Sequence, residues 1–177
     1  MTSEAKTNEA MRPNIALVGF MGTGKTAVGK CLAERLAMRF VDMDDVIVER
    51  QGKPIARIFD EDGEPAFRAM ERALVQELAE QQGLVIGAGG GVVLNPDNIR
   101  DFGRTGHVVC LSLDPETILE RLANDRSRPL LEGEDKARKI RETLAARKPL
   151  YDAVPLQVDR NGLDIGQTVE RILALLR

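Results

Sequence analysis

The chain has 177 residues with a formal net charge of −3, 43% hydrophobic and 30% charged residues. That balance fits one globular domain able to bury about 70% of its unfolded surface. Without a basic block it argues against nucleic acid or a membrane surface as partner, and no stretch reaches the roughly 18 apolar residues of a bilayer span.

Residues 1–12 are polar and lack an apolar h-region, so they read as a disordered tail rather than a secretory signal. Residues 13–177 are expected to form a single cytoplasmic domain. Ile15–Val18 is a short buried strand that runs into a glycine-rich turn, and 25–38 follows as a helix with Val28, Leu32 and Leu36 on its apolar face. Arg39–Val41 is a second strand. Helices are expected over 44–51, 54–60 and 64–81, and a third strand over Leu84–Ile86 ends in three glycines. A short helix near 96–103, a strand over His107–Leu113, a helix over 115–123, an irregular stretch at 124–134, a helix over 135–148, a strand over Leu156–Val158 and a helix over 164–176 complete the chain. Short apolar strands alternating with helices predict an α/β fold with a parallel sheet covered on both faces. The stretch at 124–134 has the composition of a lid.

Cys31 and Cys110 lie in apolar segments without a CxxC or Cys/His cluster, which points to reduced buried thiols. The single histidine, His107, reads as structural.

Residues 19–26 spell G-F-M-G-T-G-K-T, a full match to G-x-x-x-x-G-K-[ST] between a strand and a helix. Gly22 and Gly24 allow a tight turn whose N–H groups face phosphate oxygens. Thr23 and Ala27 complete the wrap, Lys25 is placed to bridge β- and γ-phosphates, and the Thr26 hydroxyl suits Mg²⁺. The motif points to ATP and leaves the second substrate open.

Asp42 and Asp44 stand at the carboxyl end of the second strand. One carboxylate can support Mg²⁺ and the other can accept a proton from an attacking hydroxyl, although helix capping is a competing reading. Arg68 and Glu71 are i, i+3 neighbours, either a surface pair or a fork for a substrate carboxylate. Gly89-Gly90-Gly91 is a flexible turn or a set of exposed N–H groups for a polar ligand. Arg128 in the lid candidate, and Arg147 before Pro149-Leu150-Tyr151, are solvated charges or anion clamps.

Taken together, G-F-M-G-T-G-K-T, Asp42-x-Asp44, Phe67-Arg68…Glu71, Gly89-Gly90-Gly91, Arg128-Pro129-Leu130-Leu131 and Arg147…Tyr151 resemble the shikimate kinase family over about residues 14–177. The resemblance implies a three-layer P-loop fold, strand order 2-3-1-4-5, with acceptor-binding helices in about 44–81. It implies transfer of the γ-phosphate of ATP to the 3-hydroxyl of shikimate by a monomer carrying one Mg²⁺ per active site. Asp44 is then the candidate base, and Asp42 with Thr26 supports Mg²⁺. Arg68, Arg147 and Gly89–Gly91 hold shikimate, with Phe59, Phe67 and Pro129 lining its ring. Lys25 and Arg128 act on phosphate, Arg121 flanks the adenine, and Arg160 is the candidate for a further basic residue near it. The competing readings are a gluconate-type or nucleotide kinase and a non-catalytic ATP-binding switch.

Overall fold

The computed structural model describes residues 12–123 and 135–177. The expected tail up to Met11, and the lid candidate at 124–134 with Arg128 and Pro129, lie outside them. Arg12, counted with the tail from the sequence, is anchored: its carbonyl accepts from the Gly83 N–H at 2.8 Å and its guanidinium donates to the Leu36 carbonyl.

Five parallel strands form one sheet in the order β2-β3-β1-β4-β5, with β1 Asn14–Val18, β2 Arg39–Asp42, β3 Leu84–Gly87, β4 Gly106–Ser112 and β5 Leu156–Asp159. Both the parallel sheet and its order agree with the sequence reading. Alternation along the central strands assigns their side chains to opposite faces. Ala16, Val18, Ile86, Val108 and Cys110 join one apolar cluster, and Ile15, Leu17, Val85, Val109 and Leu111 join another. The second cluster is closed by α1 (Lys25–Leu36) and α8 (Ile165–Leu175). The first packs under α2 (Met43–Gln51), α3 (Ile55–Asp62), α4 (Glu64–Ala79), α5 (Pro96–Thr105), α6 (Pro115–Leu122) and α7 (Lys136–Asp152).

Asn14 joins elements distant in sequence. Its buried amide donates to the carbonyls of Leu78 and Gln81 at 3.1 and 2.8 Å and accepts from the Leu84 N–H at 3.0 Å. The end of α4 is thereby fixed to the start of β3, so the helix carrying Arg68 is registered against the strand leading to the glycines.

Two local departures from the sequence reading bear on the site. Helix α7 runs through Pro149 to Asp152 rather than stopping at 148. Proline removes one N–H but tolerates helical φ, and the buried Arg147 and Tyr151 on one face hold the last turn in place. A short 3₁₀ turn, Val92–Leu94, follows the glycines. Of the two cysteines, Cys110 is buried as expected and Cys31 is half-buried; both are free thiols.

Candidate functional site

The carboxyl ends of all five strands share one edge, and β1 lies between β3 and β4, where connections leave the sheet in opposite directions. Ligand crevices of open α/β sheets form at such a point.

The turn after β1 is built by glycines. Gly22 and Gly24 have φ of +83° and +87°, a left-handed conformation that L side chains resist. Gly24 caps α1 and the helix starts at Lys25, so the first N–H groups of α1 face the turn. The Lys25 ammonium folds back onto the turn, donating to the Gly19 and Phe20 carbonyls at 2.7 and 3.0 Å. Thr23 is buried, and its hydroxyl turns inward to the Phe20 carbonyl at 2.8 Å, so it serves the turn through its backbone. Arg121 donates to the Gly22 carbonyl at 3.1 Å from outside.

Asp42 caps α2 and also faces the phosphate turn. One carboxylate oxygen caps α2, accepting from Asp44 N–H at 3.0 Å and Asp45 N–H at 3.3 Å. The other accepts from the Thr26 hydroxyl at 2.9 Å. Asp44 lies in the first turn of α2 rather than on the strand, so strand alternation does not orient it; the helix start does. A cleft along the turn is bordered by Gly22, Gly24, Lys25, Thr26, Ala27, Asp42 and Asp44.

A second cleft adjoins it. Met21, Asp44, Gly89 and Gly90 border both. The remaining walls are Ile55, Phe59, Phe67, Arg68, Glu71, Gly91 and Arg147. Phe59 and Phe67 pack with ring centroids 5.0 Å apart, and the Arg68 guanidinium lies 5.3 Å from the Phe67 ring centroid. Arg68 donates to Glu71 at 3.0 Å and to Glu64 at 3.3 Å. Glu71 is only 2% exposed, so a half-buried Arg68 is anchored from the interior. Burial pushes the Glu71 carboxyl above its usual range, opposed by the Arg68 charge and reinforced by Asp44.

Side chains crowd two of the three glycines, Gly89 and Gly91. A Cβ on Gly91 would collide with the Arg68 guanidinium, and one on Gly89 would reach the Glu71 and Asp44 carboxylates at 3.0 and 3.2 Å. Arg147 is 6% exposed and would stand 3.7 Å from a Cβ on Gly90. Tyr151, one helical turn after Arg147, donates its phenol to the Gly90 carbonyl at 2.5 Å. The sequence reading assigned Tyr151 no role; its i, i+4 spacing from Arg147 was the available signal.

The clefts therefore combine, on one side, a phosphate-type turn with hydroxyl and carboxylate oxygens, and on the other, two arginines over an apolar floor. Asp44 stands at their junction. Among the described residues no group of three or more His, Cys, Asp or Glu side chains could hold a metal alone. The Thr26 hydroxyl and Asp42 carboxylate are hard oxygen donors beside the phosphate turn, the donor set that suits Mg²⁺ shared with a nucleotide's phosphates.

The family model for shikimate kinase matches residues 21–177. The chain belongs to the shikimate kinase family. A shikimate kinase of Pelotomaculum thermopropionicum is 44% identical over 164 residues, covering 93% of this chain and 95% of its own. One from Desulforudis audaxviator is 46% identical over 164 residues, covering 93% and 86%. The solved structure of shikimate kinase from Acinetobacter baumannii in complex with shikimate superposes with a TM-score of 0.90 at 37% identity, covering 96% of each chain. Shikimate kinase family members thus match this chain in sequence and in fold over most of its length.

Proposed function

We infer that this chain is an ATP-dependent shikimate kinase whose two clefts divide the work between nucleotide and acceptor. The observation that carries the reading is the position of Asp44, which borders both clefts and so stands where a γ-phosphate and an acceptor hydroxyl would meet.

On the nucleotide side, the turn's N–H groups and the α1 amino end receive the β- and γ-phosphates. Lys25, poised on the Gly19 and Phe20 carbonyls, needs only side-chain rotation to exchange those neutral oxygens for phosphate. Thr26 and Asp42 would hold Mg²⁺, which supplies charge neutralisation at the transferring phosphoryl group. Asp42 is kept in place for this by its cap on α2.

On the acceptor side, Arg68 and Arg147 receive the carboxylate of shikimate, and the glycine run presents backbone to its hydroxyls. Glu71 fixes the direction of Arg68, so less side-chain freedom is lost when the acid binds. Phe59 and Phe67 offer an apolar floor to the ring. Asp44 accepts a hydrogen bond from the attacking hydroxyl, orients it toward phosphorus and takes its proton as the new P–O bond forms and the bond to ADP breaks. The loose transition state of phosphoryl transfer makes orientation the larger part of this role.

The reading is of a monomer acting on small molecules. No described helix is long and apolar enough to cross a membrane, and the substrates suit the cytoplasm.

The test is ADP release by purified protein with MgATP and shikimate, gluconate, CMP or no acceptor. Release with shikimate alone is expected. Release with gluconate or CMP instead would discard the acceptor assignment, and nucleotide binding without acceptor-dependent release would mark an ATP-binding switch.

A further inference from the structure

Arg160 stands at the end of β5 and is 4% exposed. Its Nη1 donates to the Thr23 carbonyl at 2.6 Å, and its Nε donates to the Thr168 hydroxyl at 3.0 Å. The Thr168 hydroxyl donates in turn to the Asp164 carbonyl at 2.7 Å, at the start of α8. That start is fixed by a capping box between Asp164 and Gln167. The Arg160 backbone is held as well, its N–H on the Ser112 carbonyl at 2.9 Å and its carbonyl accepting from Leu163 at 3.0 Å. The side chain thus bridges the phosphate turn to a rigid helix end.

The electrostatics of the bridge are unusual. Among the described residues Arg160 has no carboxylate within ion-pair distance, although most other described arginines have one. Its side-chain partners, the Thr23 carbonyl and the Thr168 hydroxyl, are neutral oxygens. Burial, and then the like charge of Arg121, lower its pKa. A buried cation without an anion is an expensive arrangement unless a charge arrives to offset it. The phosphate turn lies directly against it: a Cβ on Gly24 would collide with the Arg160 guanidinium.

The contact also sets direction. In a trans peptide the C=O and the following N–H point to opposite sides. Fixing the Thr23 carbonyl on Arg160 therefore aims the Gly24 N–H away from Arg160, toward the phosphate side of the turn. We propose that Arg160 is a positioning residue for the nucleotide, acting through the Thr23–Gly24 peptide and itself held by Thr168, and that its charge is offset by the bound phosphates. This goes beyond a contact with the adenine, because such a contact would not depend on Thr168. It rests on the nucleotide half of the proposed function.

The test measures binding of MgADP and of shikimate separately by titration calorimetry, with thermal midpoints recorded. The variants are Arg160→Ala, Thr168→Val and Thr168→Ser. Thr168→Val is nearly isosteric and keeps the fold in view should Arg160→Ala fail to fold. Weakening of MgADP by about tenfold in Thr168→Val, the scale of one charge-assisted hydrogen bond, is expected. Arg160→Ala should lose more, Thr168→Ser should stay near wild type, and shikimate should bind as in wild type throughout. Unchanged MgADP binding in Thr168→Val would overturn the proposal. So would an equal loss for both ligands, since that marks a purely structural part. Failure of the wild type itself to bind MgADP would instead remove the nucleotide reading on which the proposal stands.

Discussion

The Tyr151 phenol donates to the Gly90 carbonyl at 2.5 Å and joins α7 to the glycine run that borders both clefts. The positive charge of Arg147, one helical turn earlier, opposes the burial of the same phenol. Tyr151 therefore ties the helix that carries Arg147 to the glycine backbone. Replacing it by Phe leaves the Gly90 carbonyl without this donor, a loss of about 1–3 kcal/mol. Tyr151→Phe should raise the shikimate KM about three- to tenfold, part of that loss, while the ATP KM moves little. Steady-state kinetics with each substrate varied will show the split; equal changes in both would remove Tyr151 from the acceptor side.

The same burial predicts an alkaline limit to stability. Burial pushes the Tyr151 phenol up to about 12 and the Cys110 thiol up to about 11. Both ionise first in the unfolded chain, near pH 10 and 9. Above those values the native state binds more protons than the unfolded state, so stability falls as pH rises. The thiol contributes between about pH 9 and 11 and the phenol between about pH 10 and 12, each on the order of 2–3 kcal/mol in full. Urea unfolding at pH 8 to 11 should show the decline. Cys110→Ala should flatten it from pH 9 and Tyr151→Phe from pH 10. An unchanged slope in both variants would mean that these groups do not set the limit.

Arg68 and Gly91 should fail in the same way for different reasons. Arg68→Ala removes a guanidinium. Gly91→Ala keeps it but places a methyl where it now lies. Because the obstructed atoms are the far end of a flexible side chain, the arginine can move aside and the fold survives. Both variants should raise the shikimate KM, Arg68→Ala by about a hundredfold as a buried charge-assisted contact is lost, with ATP affinity near wild type. A Gly91→Ala enzyme with unchanged shikimate KM would show that Arg68 does not need its present position.

The fold was legible because each strand is a short apolar run with a helix-period segment after it, and because one motif placed β1 and α1 together. The order of the sheet came only with the family resemblance, since no local pattern says that β3 lies between β2 and β1. At the site, residues clustered in sequence were readable: 19–26, 42–44, 68–71 and 89–91. What escaped depended on distant contacts. Asn14 ties α4 to β3 across more than sixty residues. Arg160 reaches Thr23 across 137 positions. The end of α7 was misplaced because local proline propensity was outweighed by the packing of Tyr151 beyond it.

Asp42 allows capping and catalysis to be separated. One oxygen caps α2 and the other accepts from Thr26, so the proposed metal role can be tested apart from the cap. Asparagine caps helices about as well as aspartate but carries no charge, whereas alanine does neither. Asp42→Asn should therefore keep the thermal midpoint near wild type yet need several-fold more Mg²⁺ for half-maximal rate, as loss of one hard anionic ligand weakens the site. Asp42→Ala should show the same Mg²⁺ dependence and in addition lose about 1 kcal/mol of stability with the cap. Chemical denaturation and Mg²⁺ titration of the rate, run on both variants, separate the two effects. If Asp42→Asn shows a normal Mg²⁺ requirement, the carboxylate is a cap alone and the metal must be held by Thr26 and phosphate without it.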